Sequence, residues 1–465
     1  MSAAAAASPP PASTLGREAK DLWRLALPLA AAQLGTHLMG FIDTVIAGHL
    51  GDRELAGTGL GSSLFFAVSV IGMGVVLGLD PLASQAFGGG RPRLARRCFW
   101  QGLYTAGLVT LPLTALALGL AFALPRFGVV PETATAARHY VVARIPSLYF
   151  LLAAYAARAY LQAAHRARPV LVVTLAVNVL NALLGFVLAF GDRGLVLVGL
   201  PGVGLPTLGV VGLGLGAALA TVVQLALMAV AVGSLPPGEG DESLHRVDGR
   251  IVRRILDLGL PIGLMMSAEV GVFSLVQVLM GGMGVIPGAA HQAAVTFWSL
   301  SFSVTVGIGA ATSVQVGRAI GRGDAHATRR AGLLGIGMGA GFMLLPGVVM
   351  AIAPQALARL VTGESDVVPL AATLLRIAAG FQLVDGVQAV AAGALRGAGI
   401  TRWAFVANVI AHWTVGLPVG VALAYGLSLG PAGLWYGLTT GLAVVAAALT
   451  TKFVLATRGR IAALG

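Results

Sequence analysis

Residues 33–49 read Gln33-Leu-Gly-Thr-His37-Leu-Met-Gly40-Phe-Ile-Asp43-Thr44-Val-Ile-Ala-Gly48-His49, an apolar run with a carboxylate at its centre. An ionisable side chain at bilayer depth costs at least ~2.5 kcal/mol, so it marks a functional position. At helical spacing Gln33, Thr36/His37, Gly40, Asp43/Thr44 and Ala47 share one small, polar face. Such a face looks into a cavity or onto a neighbouring helix rather than into lipid.

The remainder of the chain supplies a membrane protein around this stretch. Of the 465 residues, 57% are hydrophobic and only 10% charged, against about 25% charged in soluble domains. Apolar runs long enough to span ~30 Å of hydrocarbon recur throughout. The 65 glycines suit close helix packing in lipid. Twelve spans are predicted, roughly 22–49, 58–86, 97–124, 138–163, 169–190, 208–232, 253–281, 289–317, 328–353, 367–393, 402–425 and 432–456. The fold class is therefore all-α and polytopic.

The net charge of +12 does not indicate nucleic acid, because the basic residues sit between apolar spans and are not interleaved with aromatics. Twenty-two Lys and Arg fall in one set of connections and tails, from Arg17 and Lys20 to Arg458 and Arg460. Five fall in the alternate set: Arg53, Arg126, Arg138, Arg193 and Arg359. This split predicts cytoplasmic termini. The two lysines, Lys20 and Lys452, lack the glycine-rich turn of a phosphate loop. The lone Cys98 reads as a small core residue. Residues 1–21 are expected to be a disordered cytoplasmic tail that begins with Ala/Pro/Ser low complexity. They show no signal-peptide pattern.

A polar, Pro/Gly-rich break at 233–250 divides the chain into a six-span lobe at 22–232 and another at 251–457, with a tail at 458–465. The halves repeat. Pro28 and Pro261, Gly88 and Gly321, Gly90 and Gly323, Arg96 and Arg329, and Arg97 and Arg330 all stand 233 residues apart. An even number of spans per half makes the repeats parallel, about an axis along the membrane normal, with a site expected at the midplane between two rocking lobes. Pro112, Pro146, Pro346 and Pro418 lie inside spans, where each either kinks its helix or sits in a static bend.

Of eighteen acidic residues, only Asp43, Glu269 and Asp385 lie deep in apolar segments. Asp80 and Asp257 fall toward the cytoplasmic ends of spans. A deep carboxylate is neutralised by a proton, a metal ion or a cationic substrate, and competition among these is the physical basis of an antiporter. The alternative is a structural pairing with Arg144, Arg158 or Arg376. Gln382 and Gln388 flank Asp385 at three residues on either side, giving its helix a polar stripe. His37, His139, His291 and His412 lie in or near spans and read as hydrogen-bonded packing residues or proton relays. Asn178 and Asn181, one turn apart, either line a cavity or join helices. Trp298, Phe302 and Phe381 either offer aromatic faces to an organic cation or pack in the core.

Several stretches together carry a family resemblance. They are Leu27-Pro28, Gly40-Phe-Ile-Asp43-Thr-Val-Ile-Ala-Gly48, Asp80-Pro-Leu-Ala-Ser-Gln85-Ala-Phe-Gly88, Gly259-Leu-Pro261-Ile with Glu269, and Asp385-Gly-Val-Gln388 running on to Arg396-Gly-Ala-Gly399. From about Leu22 to Leu455 the chain resembles the multidrug and toxic compound extrusion (MATE) family. The resemblance implies two pseudo-symmetric six-helix lobes around a central V-shaped cavity. It also implies export of small cationic, amphipathic compounds in exchange for H+ or Na+. It gives Asp43, Glu269 and Asp385 as coupling-ion residues, with Glu269 and Asp385 as metal ligands if the ion is Na+. Asn181 resembles the fifth-helix Asn of the N-terminal lobe.

The substrate cavity is expected to draw on Gln33, His37, Asn178, Asn181, Trp298, Phe381, Gln382 and Gln388. Phe381 stands where Na+-coupled relatives often carry Tyr. The lost oxygen favours H+, since Na+ is a hard cation that takes oxygen ligands. No cofactor other than H+ or Na+ is expected. The expected form is a monomer in the lipid bilayer of the inner (plasma) membrane. Asp43→Asn is expected to abolish exchange. A flippase for a lipid-linked precursor on a related frame is the alternative; its signature would be Arg144, Arg158 or Arg376 facing the cavity.

Overall fold

The computed structural model describes residues 15–197, 199, 201–202, 204–239 and 243–464. Residues 1–14, and Gly240 to Glu242 of the expected linker, lie outside the described residues. Among the described residues every regular element is helical. The first half comprises α1 (Leu15–Leu50), α2 (Asp52–Val76), α3 (Leu79–Gly88), α4 (Pro92–Ala123), α5 (Pro131–Arg144), α6 (Ser147–Ala163), α7 (Ala167–Phe190), the short α8 (Asp192–Leu197) and α9 (Gly209–Gly233). The second comprises α10 (Gly249–Gly282), α11 (Val285–Gly321), α12 (Ala325–Ile352), α13 (Pro354–Val361), α14 (Val367–Gly397), α15 (Thr401–Val409), α16 (Leu417–Val421) and α17 (Pro431–Ala456).

Eleven stretches are long and apolar enough to cross a bilayer, and the bent pair α5–α6 supplies a twelfth. Helix α1 starts seven residues earlier than the expected first span. Residues 15–21, expected to be disordered, are helical. They are held there by an ion pair from Glu18 to Arg330 of α12.

The prolines act differently from one another. Pro112 and Pro346 lie within α4 and α12, whose helical assignment runs unbroken past them. Pro146 sits at the 53° bend between α5 and α6. Pro418 follows a π-helical turn, Ile410–Gly416. Proline removes one N–H from the ladder, and the wider turn just before it is one way to absorb the mismatch. Three hydroxyls inside spans show local satisfaction. Thr36 donates to the Ala32 carbonyl at 3.1 Å, Thr105 to Gln101 at 2.8 Å and Thr312 to Ile308 at 2.8 Å. They therefore add polarity to a helix without leaving a donor unpaired in hydrocarbon.

The internal repeat is written into the backbone. Gly51 and Gly284, 233 residues apart, precede α2 and α11 with matching dihedrals, φ 139° and ψ 166° against φ 132° and ψ 174°. Gly90 and Gly323 take φ 68° and 72° in equivalent turns. A side chain at any of these four positions would be strained.

The two lobes meet through α1 on α11, α2 on α10 and α3 on α11. The contacts are of backbone on backbone. A Cβ on Gly259 would lie 1.8 Å from the Val75 carbonyl oxygen, one on Gly74 would lie 2.2 Å from Gly263, and one on Gly88 would lie 2.2 Å from the Arg318 carbonyl oxygen. Gln85 clasps the same end: its Nε2 donates to the Gly397 carbonyl at 3.1 Å, and its Oε1 accepts from Leu464 N at 2.7 Å. Arg318 donates to the Ala163 carbonyl at 3.1 Å. Beside it, in the connection after α6, burial and the Arg318 and Arg322 charges push His165 down to about 4, so it stays neutral. All these contacts lie in the helix halves nearest the two termini and the 233–250 segment. The lobes are thus closed at that end of the molecule.

Gly259→Ala tests this packing. The added methyl cannot fit while Val75 stays in place, and overpacking costs of order 1–3 kcal/mol. Spin labels on α3 and on the end of α11 should move apart. The native thiol of Cys98 is buried and would not take label. An unchanged separation would show that the lobes do not bear on each other there.

Candidate functional site

Two buried constellations carry the deep carboxylates, one in each lobe. In the first, Asp43 on α1 is 3% exposed. Its Oδ1 accepts a 2.8 Å hydrogen bond from Asn181 Nδ2 on α7. Its Oδ2 lies 3.3 Å from Arg144 Nη1 and accepts from Tyr140 Oη at 3.4 Å. Tyr140 and Arg144 stand one turn apart on α5, and the guanidinium also donates to Tyr140 Oη at 2.5 Å. The Arg144 guanidinium lies over the Phe65 ring at 4.9 Å. Asp43 is therefore an ion-paired carboxylate, the structural pairing that sequence reading left open. Arg144 was one of three pairing partners the sequence offered, and Tyr140 was not singled out.

In the second, Asp385 on α14 is 1% exposed. Its Oδ2 accepts from Trp298 Nε1 on α11 at 2.8 Å. Its Oδ1 is buried with no hydrogen-bond partner, and so are Gln382 Oε1 and Gln388 Oε1 on the same helix. Gln382 Nε2 donates to Ser301 Oγ at 2.7 Å. Glu269 on α10 is half-buried, and its charge is within electrostatic reach of Asp385. Aromatic rings wall this region. Phe273 stacks on Trp298 at 4.4 Å and 12°, Phe302 tilts against Trp298 at 5.3 Å, and Phe381 stands edge-on to Trp298 and Trp435 at 6.0 and 5.7 Å.

The expected cavity residues divide. His37 is exposed, and Gln33 and Trp298 are half-buried. Gln33 Oε1 accepts from Arg158 at 3.4 Å. Asn178 spends its amide on the Gly35 carbonyl at 2.7 Å, joining α7 to α1. It and Asn181 are buried, and Phe381, Gln382 and Gln388 are enclosed inside the C-terminal lobe. All five are buried in this structure. Four of them meet a neighbouring helix, Asn178 and Asn181 on α1 and Phe381 and Gln382 on α11, which a uniformly apolar sequence does not mark. Among the histidines, His291 Nδ1 accepts from Trp435 Nε1 at 3.1 Å. His412 is buried in the π-helical turn with neither ring nitrogen bonded, and His139 is exposed.

A third buried carboxylate was read only as a span-end residue. Asp80 on α3 forms an ion pair with Arg396 Nε of α14 at 3.3 Å, across the closed end of the lobe interface. Arg158 of α6 also lies within electrostatic reach of it.

Among the described residues no three His, Cys, Asp or Glu side chains converge as a metal cluster. On α14 three buried acceptor oxygens, Asp385 Oδ1, Gln382 Oε1 and Gln388 Oε1, have no donor.

Comparison with known proteins fits this geometry. The MatE family model matches residues 28–187 and again 261–422, two copies whose starts stand 233 residues apart, the offset of the repeat. A probable multidrug resistance protein NorM from Bradyrhizobium diazoefficiens is 35% identical over 449 residues, 95% of this chain and 94% of that protein. The multidrug resistance protein NorM of Burkholderia vietnamiensis is 36% identical over 471 residues, 98% of each. In structure the chain is similar to the eukaryotic MATE transporter AtDTX14, with a TM-score of 0.83, 20% identity and coverage of 95% and 96%. It is likewise similar to the Vibrio cholerae MATE transporter VcmN in its bent form, with a TM-score of 0.83, 17% identity and coverage of 96% and 98%.

Proposed function

The chain belongs to the MATE family of membrane transporters, and from that premise we propose that it is an antiporter exporting cationic, amphipathic drugs in exchange for H+. The observation that carries the coupling is the buried Asp385 Oδ1 with no donor, on a helix where Gln382 Oε1 and Gln388 Oε1 are buried without donors too. Orphaned buried acceptors cost about 1–3 kcal/mol each. A proton on Asp385 turns its orphaned acceptor into a donor and removes a charge that burial makes costly. Phe381 offers no oxygen, and Trp298 already donates an N–H to the carboxylate. Both features support H+ over Na+.

The positive-inside distribution assigns the closed end to the cytoplasm. On this reading the structure is outward-open and the address is the inner membrane, with both termini cytoplasmic and the carrier a monomer. The coupling ion then enters from outside, neutralises Asp385 with Glu269 nearby, releases the organic cation and allows the lobes to rock. The inward-open state returns the proton and loads new cargo. The aromatic wall of Phe273, Trp298 and Phe302 suits a flat organic cation. A lipid-linked anionic cargo is disfavoured, because Arg144 is paired with Asp43 and Arg158 with Gln33.

The test is export of a fluorescent organic cation from proteoliposomes under an imposed pH or Na+ gradient. Export under the pH gradient alone is expected. Export under Na+ alone would move the coupling to Na+, and export under neither would return the lipid-linked cargo.

A further inference from the structure

We propose that Arg144 is a tethered stand-in for the transported cation: it occupies Asp43 in the empty carrier and must leave Asp43 before an organic cation binds in the N-terminal lobe. The inference rests on the cation-export reading above and assigns to the N-terminal lobe a role separate from ion coupling.

The site has the composition of an organic-cation receptor, a carboxylate beside aromatic faces. A protein side chain already fills it. The Arg144 guanidinium is planar, delocalised and more weakly hydrated than an ammonium, which makes it the side chain closest in character to an organic cation. It meets the Asp43 carboxylate at 3.3 Å and covers the Phe65 ring at 4.9 Å and the Tyr140 ring at 5.7 Å. Asp43 is held from the other side by Asn181, so its place is fixed whether or not the guanidinium is present.

The tether is placed to swing. Arg144 is the last residue of α5, at the 53° bend before α6. It is also the outer member of the pair: its side chain is 16% exposed, against 4% for that of Asp43. Its Nε is buried without a partner, so the guanidinium is not locked by a full set of hydrogen bonds. Displacing it uncovers a carboxylate that is already oriented. A carrier built this way never presents a bare buried anion between cargoes, since one cation replaces another.

An internal competitor lowers apparent affinity by the fraction of carriers in which the site is free. With the site free in about one carrier in ten, removing the tether tightens cation binding about tenfold. The probes are tetraphenylphosphonium, a permanent cation, and triphenylphosphine oxide, a neutral analogue, titrated against detergent-solubilised full-length protein at mildly alkaline pH. Arg144→Gln should bind the cation about tenfold more tightly and the neutral probe no differently. Arg144→Lys, which keeps a tethered charge on a more strongly hydrated ammonium, should gain less than Arg144→Gln. Adding Asp43→Asn to Arg144→Gln should remove the gain.

Equal or weaker cation binding by a folded Arg144→Gln protein would overturn the tether, and so would an equal gain for the neutral probe. A readout on the wild type covers the case in which Arg144→Gln does not fold. Site-resolved phenylglyoxal modification at Arg144 should rise on saturation with tetraphenylphosphonium, and constant reactivity overturns the proposal. Cation binding without proton-driven export sinks the exchange reading and leaves the tether standing. Cation binding by neither wild type nor Arg144→Gln sinks both.

Discussion

Asp385→Asn is expected to lose uphill export completely while the protein folds and still binds cargo. The substitution keeps the shape of the side chain, and its Oδ1 can still accept from Trp298 Nε1, as the carboxylate does at 2.8 Å. What it removes is the ability to exist in two charge states. A pH difference of one unit supplies ~1.4 kcal/mol per proton. One-for-one exchange in the wild type should therefore hold about a tenfold cargo gradient, and Asp385→Asn should hold none. The measurement is the steady-state cation gradient across proteoliposomes under a fixed pH step, with facilitated equilibration in the absence of a step as the control. Glu269→Gln discriminates further. Glu269 is half-buried and has no hydrogen bond or ion pair among the described residues, so its loss leaves no stranded partner. If Glu269→Gln keeps the gradient, the proton resides on Asp385 alone. A normal gradient in Asp385→Asn would remove that residue from the coupling.

The legible and the illegible parts of this molecule have separate physical causes. The spans were legible because hydrocarbon sets a minimum length for a helix, and the apolar runs meet it. The duplication was legible because turns such as those at Gly90 and Gly323, φ 68° and 72°, admit few other residues. Asp43, Glu269 and Asp385 stood out because a charge at bilayer depth has few benign explanations. Which partner each one takes was not legible. Arg144 lies 101 residues from Asp43, and Trp298 lies 87 from Asp385. No local pattern links residues so far apart. The faces of α14 were also illegible. The helix is apolar nearly all round, so periodicity does not say which side meets α11 and α12 and which meets open space. Phe381, Gln382 and Gln388 are all buried on it. The lobe interface escaped for a third reason. It is built from glycine backbone rather than from side chains, and sixty-five glycines do not announce which of them touch.

The other large effect should come from Asp80, whose pairing with Arg396 joins the lobes across the closed end. Asp80 is 3% exposed. Removing one member of a buried ion pair costs about 3–5 kcal/mol, because the partner is left as an uncompensated buried charge. Asp80→Asn strands Arg396 only while the lobes are closed, since separating them returns that guanidinium to water. The cost therefore falls on one state of the carrier. Two conformations that interconvert during transport differ by a few kcal/mol, so a shift of about 3 kcal/mol, more than a hundredfold in population, inverts their order. Asp80→Asn should rest with the closed end open, seen as a longer spin-label distance between α3 and α14 and as new reactivity of a cysteine placed at Ser84.

Removing both charges, as Asp80→Asn with Arg396→Met, should restore most of the closed population, because replacing a whole buried pair with apolar or neutral groups is close to neutral. Arg158 gives the pair its direction. It lies within reach of Asp80 inside the N-terminal lobe, so in the wild type Asp80 keeps a cation when Arg396 leaves. Arg158→Gln should then have the opposite effect to Asp80→Asn: with no second cation to receive Asp80, opening becomes costly and the closed-end population rises. Matching shifts in the two single variants would mean that Asp80 holds the fold together without biasing the carrier's states.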